Sequence, residues 1–365
     1  MNRLVHCLGV LALLARPLAG QTAPDTVLHK EVLGDGIYLF RAPTELDVWT
    51  SSNTVVIVND EDVTVFDANT RPSTTRKVIA EIRKITNKPV RILINSHFHM
   101  DHWSGNDEYV KAFPGVQIVA TTETRDYMKR SQPLFEDAFT SVMRGAQTRL
   151  ETATRTGKEP DGSPLRPEYQ RALQGNVDEL ARWVAEMRSV RRVLPTIAFR
   201  DSLILWSGRR EFRLVSATGD ALGSTVLYLP AERLLVTGDV LVSPEDGHGP
   251  PPWGAGAYGL SAWLQTLRRL DALDVAVIVP GQGPAMHDKT YLDLTARLYA
   301  SVIGQVQAAL ERGAGSLADV QASVQVDSIG AMYTPGKAPS EAFHRWVRGM
   351  ARQAMKQSLD AQLDD

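Results

Sequence analysis

The densest group of chemically capable side chains lies in one octet, Asn95-Ser96-His97-Phe98-His99-Met100-Asp101-His102, where three imidazoles and a carboxylate fall within six residues. It follows directly on the apolar run Val90-Arg91-Ile92-Leu93-Ile94. Neutral imidazole nitrogens and carboxylate oxygens are borderline ligands that suit zinc, and a loop leaving a strand end can turn alternate side chains toward one point. On this reading His97 and His99 share one ion. Asp101 and His102, displaced along the loop, serve a second ion nearby, the usual arrangement for two-metal hydrolysis. The rival is a solvated histidine-rich loop, which sits poorly with three of the chain's eight histidines in six residues.

The flanking elements are those that can hold such a loop at a strand's end. Gly36 to Phe40 and Ser52 to Val58 read as strands, and Asn59-Asp60-Glu61-Asp62 is a hairpin turn into the strand Val63 to Phe66, which ends in Asp67. Val78, Ile79, Ile82 and Ile85 have helical spacing, so a helix links that strand to the one delivering the histidines. Chemistry at the C-terminal end of a strand in a strand-helix-strand unit is an α/β arrangement. A short helix and the strand Val116 to Ala120 follow. Residues 122–190 turn helical, broken at Thr156 to Pro164, and form an insertion that either braces the site or covers it. Strands return at Leu203 to Trp206, Glu211 to Ala217, Thr225 to Leu229, Arg233 to Thr237 and Val275 to Val279, with a helix over Ala262 to Leu273. Leu294, Leu298, Val302, Val306 and Leu310 recur at four-residue steps in a long amphipathic helix, and two further helices are expected near 316–324 and 340–358.

With 365 residues, 43% hydrophobic, and a formal charge of −2 without a polybasic or acidic block, the chain has little to offer nucleic acid or an anionic membrane surface. Residues 1–20 read as an export signal: Arg3 starts it, Cys7 to Ala15 is its short apolar run, and Leu18-Ala19-Gly20 precedes Gln21. That run is too short for a stable membrane anchor. Cys7 is the single cysteine and leaves with the signal, so the mature chain has neither disulfide nor thiolate ligand. The expected location is periplasmic or secreted.

The succession Val63-Thr64-Val65-Phe66-Asp67, His97-Phe98-His99-Met100-Asp101-His102, Thr225 to Pro230, Thr237-Gly238-Asp239 and Val279-Pro280-Gly281-Gln282-Gly283-Pro284 resembles the metallo-β-lactamase-fold hydrolase superfamily over roughly residues 30–290. The resemblance implies a four-layer αββα sandwich over residues 28–290, carrying the helical insertion, with 291–365 as a helical C-terminal extension. It also implies that His97 and His99 bind a first metal and Asp101 and His102 a second. Asp239 would bridge the two, and Asp67 would orient the loop from behind by hydrogen bonding.

Two positions depart from the family pattern. Asp220, in Gly219-Asp220-Ala221-Leu222-Gly223-Ser224, stands where a histidine is usual, and Gln282 replaces a later histidine. Aspartate is a competent zinc ligand, so a first site of His97, His99 and Asp220 survives. Glutamine is a poor one, and the second site, Asp101, His102, Asp239 and the amide of Gln282, is expected to be weaker or to take a harder, oxygen-preferring ion. His248 and His287 are substitutes too far along the chain to be favoured over solvent-facing histidines. Should Asp101, Asp220 and Asp239 converge, each unneutralised pair repels by about 4 kcal/mol at an effective dielectric near 20, which argues for a retained cation.

The expected protein is thus an exported metal-dependent hydrolase with one or two Zn2+ per chain and a small-molecule substrate. A metal-bound hydroxide would attack a carbonyl or ester centre, with Asp101 as the catalytic residue that orients or deprotonates the water. β-Lactam hydrolysis is one candidate activity among several that the scaffold supports. Trp253 and Tyr258, on the Gly- and Pro-rich loop 245–258, together with Trp49 and Trp103, either wall the substrate pocket or anchor loops to the core. The alternative class is a non-catalytic or weakly active periplasmic binding domain with a degenerate site.

Overall fold

The computed structural model describes residues 28–42, 51–130, 132–243 and 259–364. The export segment, Trp49, and the loop 245–258 with His248, Trp253 and Tyr258 lie outside these residues.

Alternation along the strands divides the chain into layers. The first sheet takes seven strands in chain order: β1 (His29–Gly34), β2 (Ile37–Arg41), β3 (Thr54–Val58), β4 (Val63–Phe66), β5 (Val90–Ile94), β6 (Gln117–Thr121) and β7 (Ile197–Phe199). The first four run antiparallel, with Asn59 N donating to Asp62 O at 2.8 Å in the β3–β4 turn, and β4 to β7 are parallel. Parallel neighbours need crossovers. These are α1 (Pro72–Ile85) between β4 and β5, and α2 (Met100–Trp103) with α3 (Asn106–Ala112) between β5 and β6. The helical insertion, α4 (Thr122–Arg130), α5 (Gln132–Thr156) and α6 (Pro167–Arg188), crosses from β6 to β7.

The second sheet has the order β12-β11-β10-β9-β8, built from β8 (Ser202–Ser207), β9 (Arg210–Ala217), β10 (Ser224–Leu229), β11 (Leu234–Val236) and β12 (Val277–Val279). Its one parallel pair, β11 with β12, is joined across α7 (Leu260–Asp271). Ile37, Leu39, Val55 and Ile57 point inward and meet Phe212, Leu214, Leu227 and Leu229 of the second sheet. The intervening residues face the other way: Phe40, Val56 and Val65 pack under Val78, Ile79 and Ile82 of α1 and Tyr109 of α3. On the far side Val226, Tyr228 and Leu235 are covered by Leu260, Trp263, Leu264 and Leu267 of α7. The period of two along each strand therefore yields the expected four-layer αββα sandwich.

The C-terminal region is helical as expected, with α8 (Thr290–Glu311), α9 (Leu317–Ser323), α10 (Asp327–Tyr333) and α11 (Glu341–Asp364). Leu294, Leu298, Val302 and Val306 form the buried stripe of α8 and share one core with α7 and with Phe343, Val347 and Met350 of α11. Several elements escaped the sequence reading, among them β1, β7, α10 and the one-turn α2 inside the histidine stretch. Strand β1 buries none of its residues fully, β7 has three residues, and α10 buries only Gly330 and Tyr333 of seven, so none shows a clear period. Among the described residues no helix is long and apolar enough to cross a membrane.

The insertion is fastened at two places. Arg71, just before α1, pairs with Glu186 (2.9 Å) and Glu179 (3.0 Å) of α6. Glu186 also accepts the backbone N–H of Ser73 at 2.6 Å, placing a carboxylate at the N-terminus of α1 where free N–H groups favour negative charge. Met128, Leu180, Trp183, Val184 and Met187 then pack against Phe98, Met100 and Trp103 of the histidine stretch, with Tyr127 stacked on Phe98 at 4.8 Å. These contacts make the insertion a brace for the loop.

Candidate metal centre

Five strand ends meet at one edge of the sandwich. β5 stops at Ile94, and the loop after it is held from both sides: Asp67 Oδ1 accepts the Ser96 N–H at 2.7 Å, and Thr225 N, on β10, donates to Ser96 O at 2.6 Å. Asp67 ends β4 in the left-handed region (φ 61°), the turn that aims its carboxylate back under the loop. Asp239 lies in the 3-10 turn Gly238–Val240 after β11, where Gly238 (φ 51°) passes so close to Ser96 that an added Cβ would sit 2.6 Å from the serine Cβ. Asp220 is in the β9–β10 turn, and Gln282 is in the turn after β12.

The expected ligands converge. Among the described residues, donor atoms of His97, His99, Asp220 and Asp239 all lie within 4.8 Å of one another, as do those of Asp101, His102 and Asp239. His97 Nε2 is 2.8 Å from His99 Nδ1 and 3.9 Å from Asp239 Oδ2, and His99 Nδ1 is 3.1 Å from Asp220 Oδ2. His102 Nε2 is 3.1 Å from Asp101 Oδ2 and 3.4 Å from Asp239 Oδ1. Gln282 directs its amide nitrogen at Asp101 Oδ2 (3.0 Å) and Asp239 Oδ2 (3.3 Å). Asp67 touches His102 Nδ1 at 2.7 Å and so acts behind the ligands.

Other expectations fall elsewhere. His287 is exposed and lies 3.6 Å from Glu31, a solvent-facing pair. Trp103 is 3% exposed and donates Nε1–H to Phe98 O at 2.8 Å, so it anchors the loop.

Several residues that hold the site had no signal in the sequence. Ser96 Oγ lies 3.0 Å from Nδ1 of both His97 and His102. Ser52 Oγ donates to Asp101 O at 2.5 Å, and Asn53 Nδ2 donates to Pro280 O and Gly283 O, each at 2.8 Å, tying the Gln282 turn to the first sheet. Asn95 and Asn106 exchange side-chain hydrogen bonds of 3.0 and 2.8 Å, and Asn95 also donates to His102 O. Ordinary polar residues at long sequence separation announce nothing until the fold brings them together.

Of the three imidazoles only His97 is lowered, while nearby carboxylates outweigh burial and raise His99 and His102. Burial, with His102 and His99 adjacent, holds His97 well below the usual imidazole range, so it is neutral and able to ligate. Burial raises Asp239 to about 6 against the pull of His102, and the Asp101 and Asp220 carboxylates add to the rise. Burial would lower His102, but Asp101, Asp239 and Asp67 outweigh it and raise it well above its ordinary value. Among the described residues, His102 Nε2 and Asp239 Oδ1 are buried and make no hydrogen bond. Asp239 belongs with His97, His99 and Asp220, and two imidazoles with two carboxylates make a four-donor set that a divalent ion fits.

The sequence pattern of the Metallo-beta-lactamase superfamily matches residues 47–282, well over half of the chain. The chain belongs to the metallo-β-lactamase superfamily. A Linear primary-alkylsulfatase of Pseudomonas sp. is 27% identical over 246 residues, 67% of this superfamily member and 44% of that relative. The chain thus spans less than half the length of the curated relative it matches. A stereoselective inverting sec-alkylsulfatase from Pseudomonas sp. superposes on 91% of this chain and 50% of its own, with a TM-score of 0.57 and 16% identity. A metallo-β-lactamase from Pontibacter korlensis superposes on 75% of this chain and 99% of its own, with a TM-score of 0.50 and 16% identity. At such identities these two likenesses speak for the fold.

Proposed function

We propose that this superfamily hydrolase is a metal-dependent ester hydrolase, with an alkyl sulfate as the favoured substrate class, exported after cleavage of residues 1–20. The observation that carries the metal dependence is the convergence of His97, His99, Asp220 and Asp239 within 4.8 Å. The alkyl sulfate is supported by the alkylsulfatase that matches 67% of the chain in sequence.

His97, His99, Asp220 and Asp239 would hold the ion, and Zn2+ suits their nitrogen and oxygen donors. A divalent ion bound there acidifies a water and polarises the ester. The chain's own part is positioning and proton transfer. Asp101 takes the proton of the attacking water at its carboxylate, which has to be ionised to accept it, and burial alone would raise its pKa. The neighbouring His102 outweighs that effect and keeps Asp101 below the usual carboxylate range, hence ionised. His99 has 37% of its side chain exposed and marks the open side, where substrate enters.

The test is a substrate panel on purified, zinc-loaded protein: a linear alkyl sulfate, a lactone and a penicillin. Release of sulfate and alcohol from the first, lost in Asp101→Asn, supports the assignment. Turnover of the penicillin alone moves the activity to β-lactams, and no turnover of any member favours the binding-domain alternative.

A further inference from the structure

Gln282 departs from the family pattern, and its contacts say what it does instead. The side chain is 5% exposed, and its NH2 group lies between two acids, donating to Asp101 Oδ2 at 3.0 Å and Asp239 Oδ2 at 3.3 Å. Carboxylates only accept, so the amide has to present its nitrogen to them; its oxygen would add a third acceptor to the group. Two N–H donors on one atom therefore join the two carboxylates that a second cation would otherwise bridge.

The turn has no slack to withdraw. Gly281 N donates to Gly238 O at 2.9 Å and to Leu241 O at 3.0 Å, and Ser243 N donates to Gln282 O at 3.1 Å. A Cβ on Gly281 would lie 2.0 Å from Asp239 Oδ1, so the backbone is pressed against the acid it serves. Without the amide, a second ion would have Asp101, His102 and the shared Asp239 as protein donors, the three-ligand count of a catalytic zinc site, so it is the amide and not a shortage of donors that stands in its place.

We propose that Gln282 closes the second metal position, so that the centre holds a single ion on His97, His99, Asp220 and Asp239. Gln282 is a positioning residue: it holds Asp101 by hydrogen bonding and leaves that carboxylate free to accept a proton. This inference rests on the metal-dependent reading above.

The full mature chain, stripped with chelator, is titrated with Zn2+, desalted and counted for metal, with the absorption of a Co2+ titration as a second readout. The wild type is expected to retain one ion per chain and its cobalt spectrum to saturate at one equivalent. Gln282→His and Gln282→Glu, the second nearly isosteric and replacing the donor by an anionic ligand, are each expected to retain two. Two retained ions in the wild type, or one in both folded variants, overturns the inference and leaves the metal-dependent reading intact. No retained ion in any of them overturns both.

Discussion

Asp67 Oδ2 lies 2.7 Å from His102 Nδ1 while Asp67 Oδ1 accepts the Ser96 N–H at 2.7 Å, so one buried carboxylate fixes both an imidazole and the path of the loop that carries it. Asp67→Asn keeps the size and tolerates the positive φ at this position, but it loses the charge and one of the two acceptor oxygens. Metal affinity should fall about 10- to 100-fold, measured by competition with a chelator. Unchanged affinity would show that the loop is set without Asp67.

Gly281→Ala tests how closely the two turns are packed. The new Cβ would meet Asp239 Oδ1 at 2.0 Å, a carboxylate committed to the site, and the backbone of Gly238 (carbonyl carbon, 2.6 Å) and Asp239 (N, 2.7 Å), which cannot swing aside. We expect a stability loss of about 1–3 kcal/mol in urea unfolding, together with reduced metal content. A fully stable, fully loaded variant would mean that the turn can shift as a unit.

The α1–α6 junction should show in the acid limb of stability. Burial acts to raise Glu186, but the Ser73 N–H and hydroxyl and the Arg71 guanidinium outweigh it and hold the pKa below its ordinary 4.5. A carboxylate depressed in the folded state stabilises above its unfolded pKa, and that contribution is lost as pH falls from about 4.5 through the folded value. Glu186→Gln should therefore cost about 1–2 kcal/mol near pH 7 and flatten the loss below pH 4.5. An acid limb parallel to the wild type would remove Glu186 as a contributor.

The export reading has its own check. Protein recovered from the periplasm or medium should begin near Gln21 on N-terminal sequencing, and recovery starting at Met1 would contradict cleavage.

How much of this was legible in the sequence follows from how local each signal is. The sandwich could be read because Val55 to Ile57 and Leu227 to Leu229 alternate or run apolar over several residues, and the α8 stripe repeats over about four turns. The histidine stretch could be read because its residues are adjacent. Asp220 and Gln282 could be placed only by resemblance, since a single Asp or Gln in a glycine-containing turn has no chemical signature of its own. Ser52 and Asn53 were invisible because their partners lie far along the chain: Asn53 reaches Pro280 and Gly283 from more than 200 positions away. The insertion's role as a brace likewise depends on Phe98 meeting Tyr127 and Met128, which no periodicity within 122–190 reveals.

Turnover should depend on an ion held by His97 and His99, and removing that ion tests this directly. Protein stripped with chelator and assayed on a linear alkyl sulfate should be inactive and should regain full activity as Zn2+ is added back. His97→Ala and His99→Ala should bind no ion tightly and regain nothing. Full activity in the stripped wild type, or tight metal binding in either variant, would contradict the assignment of this centre.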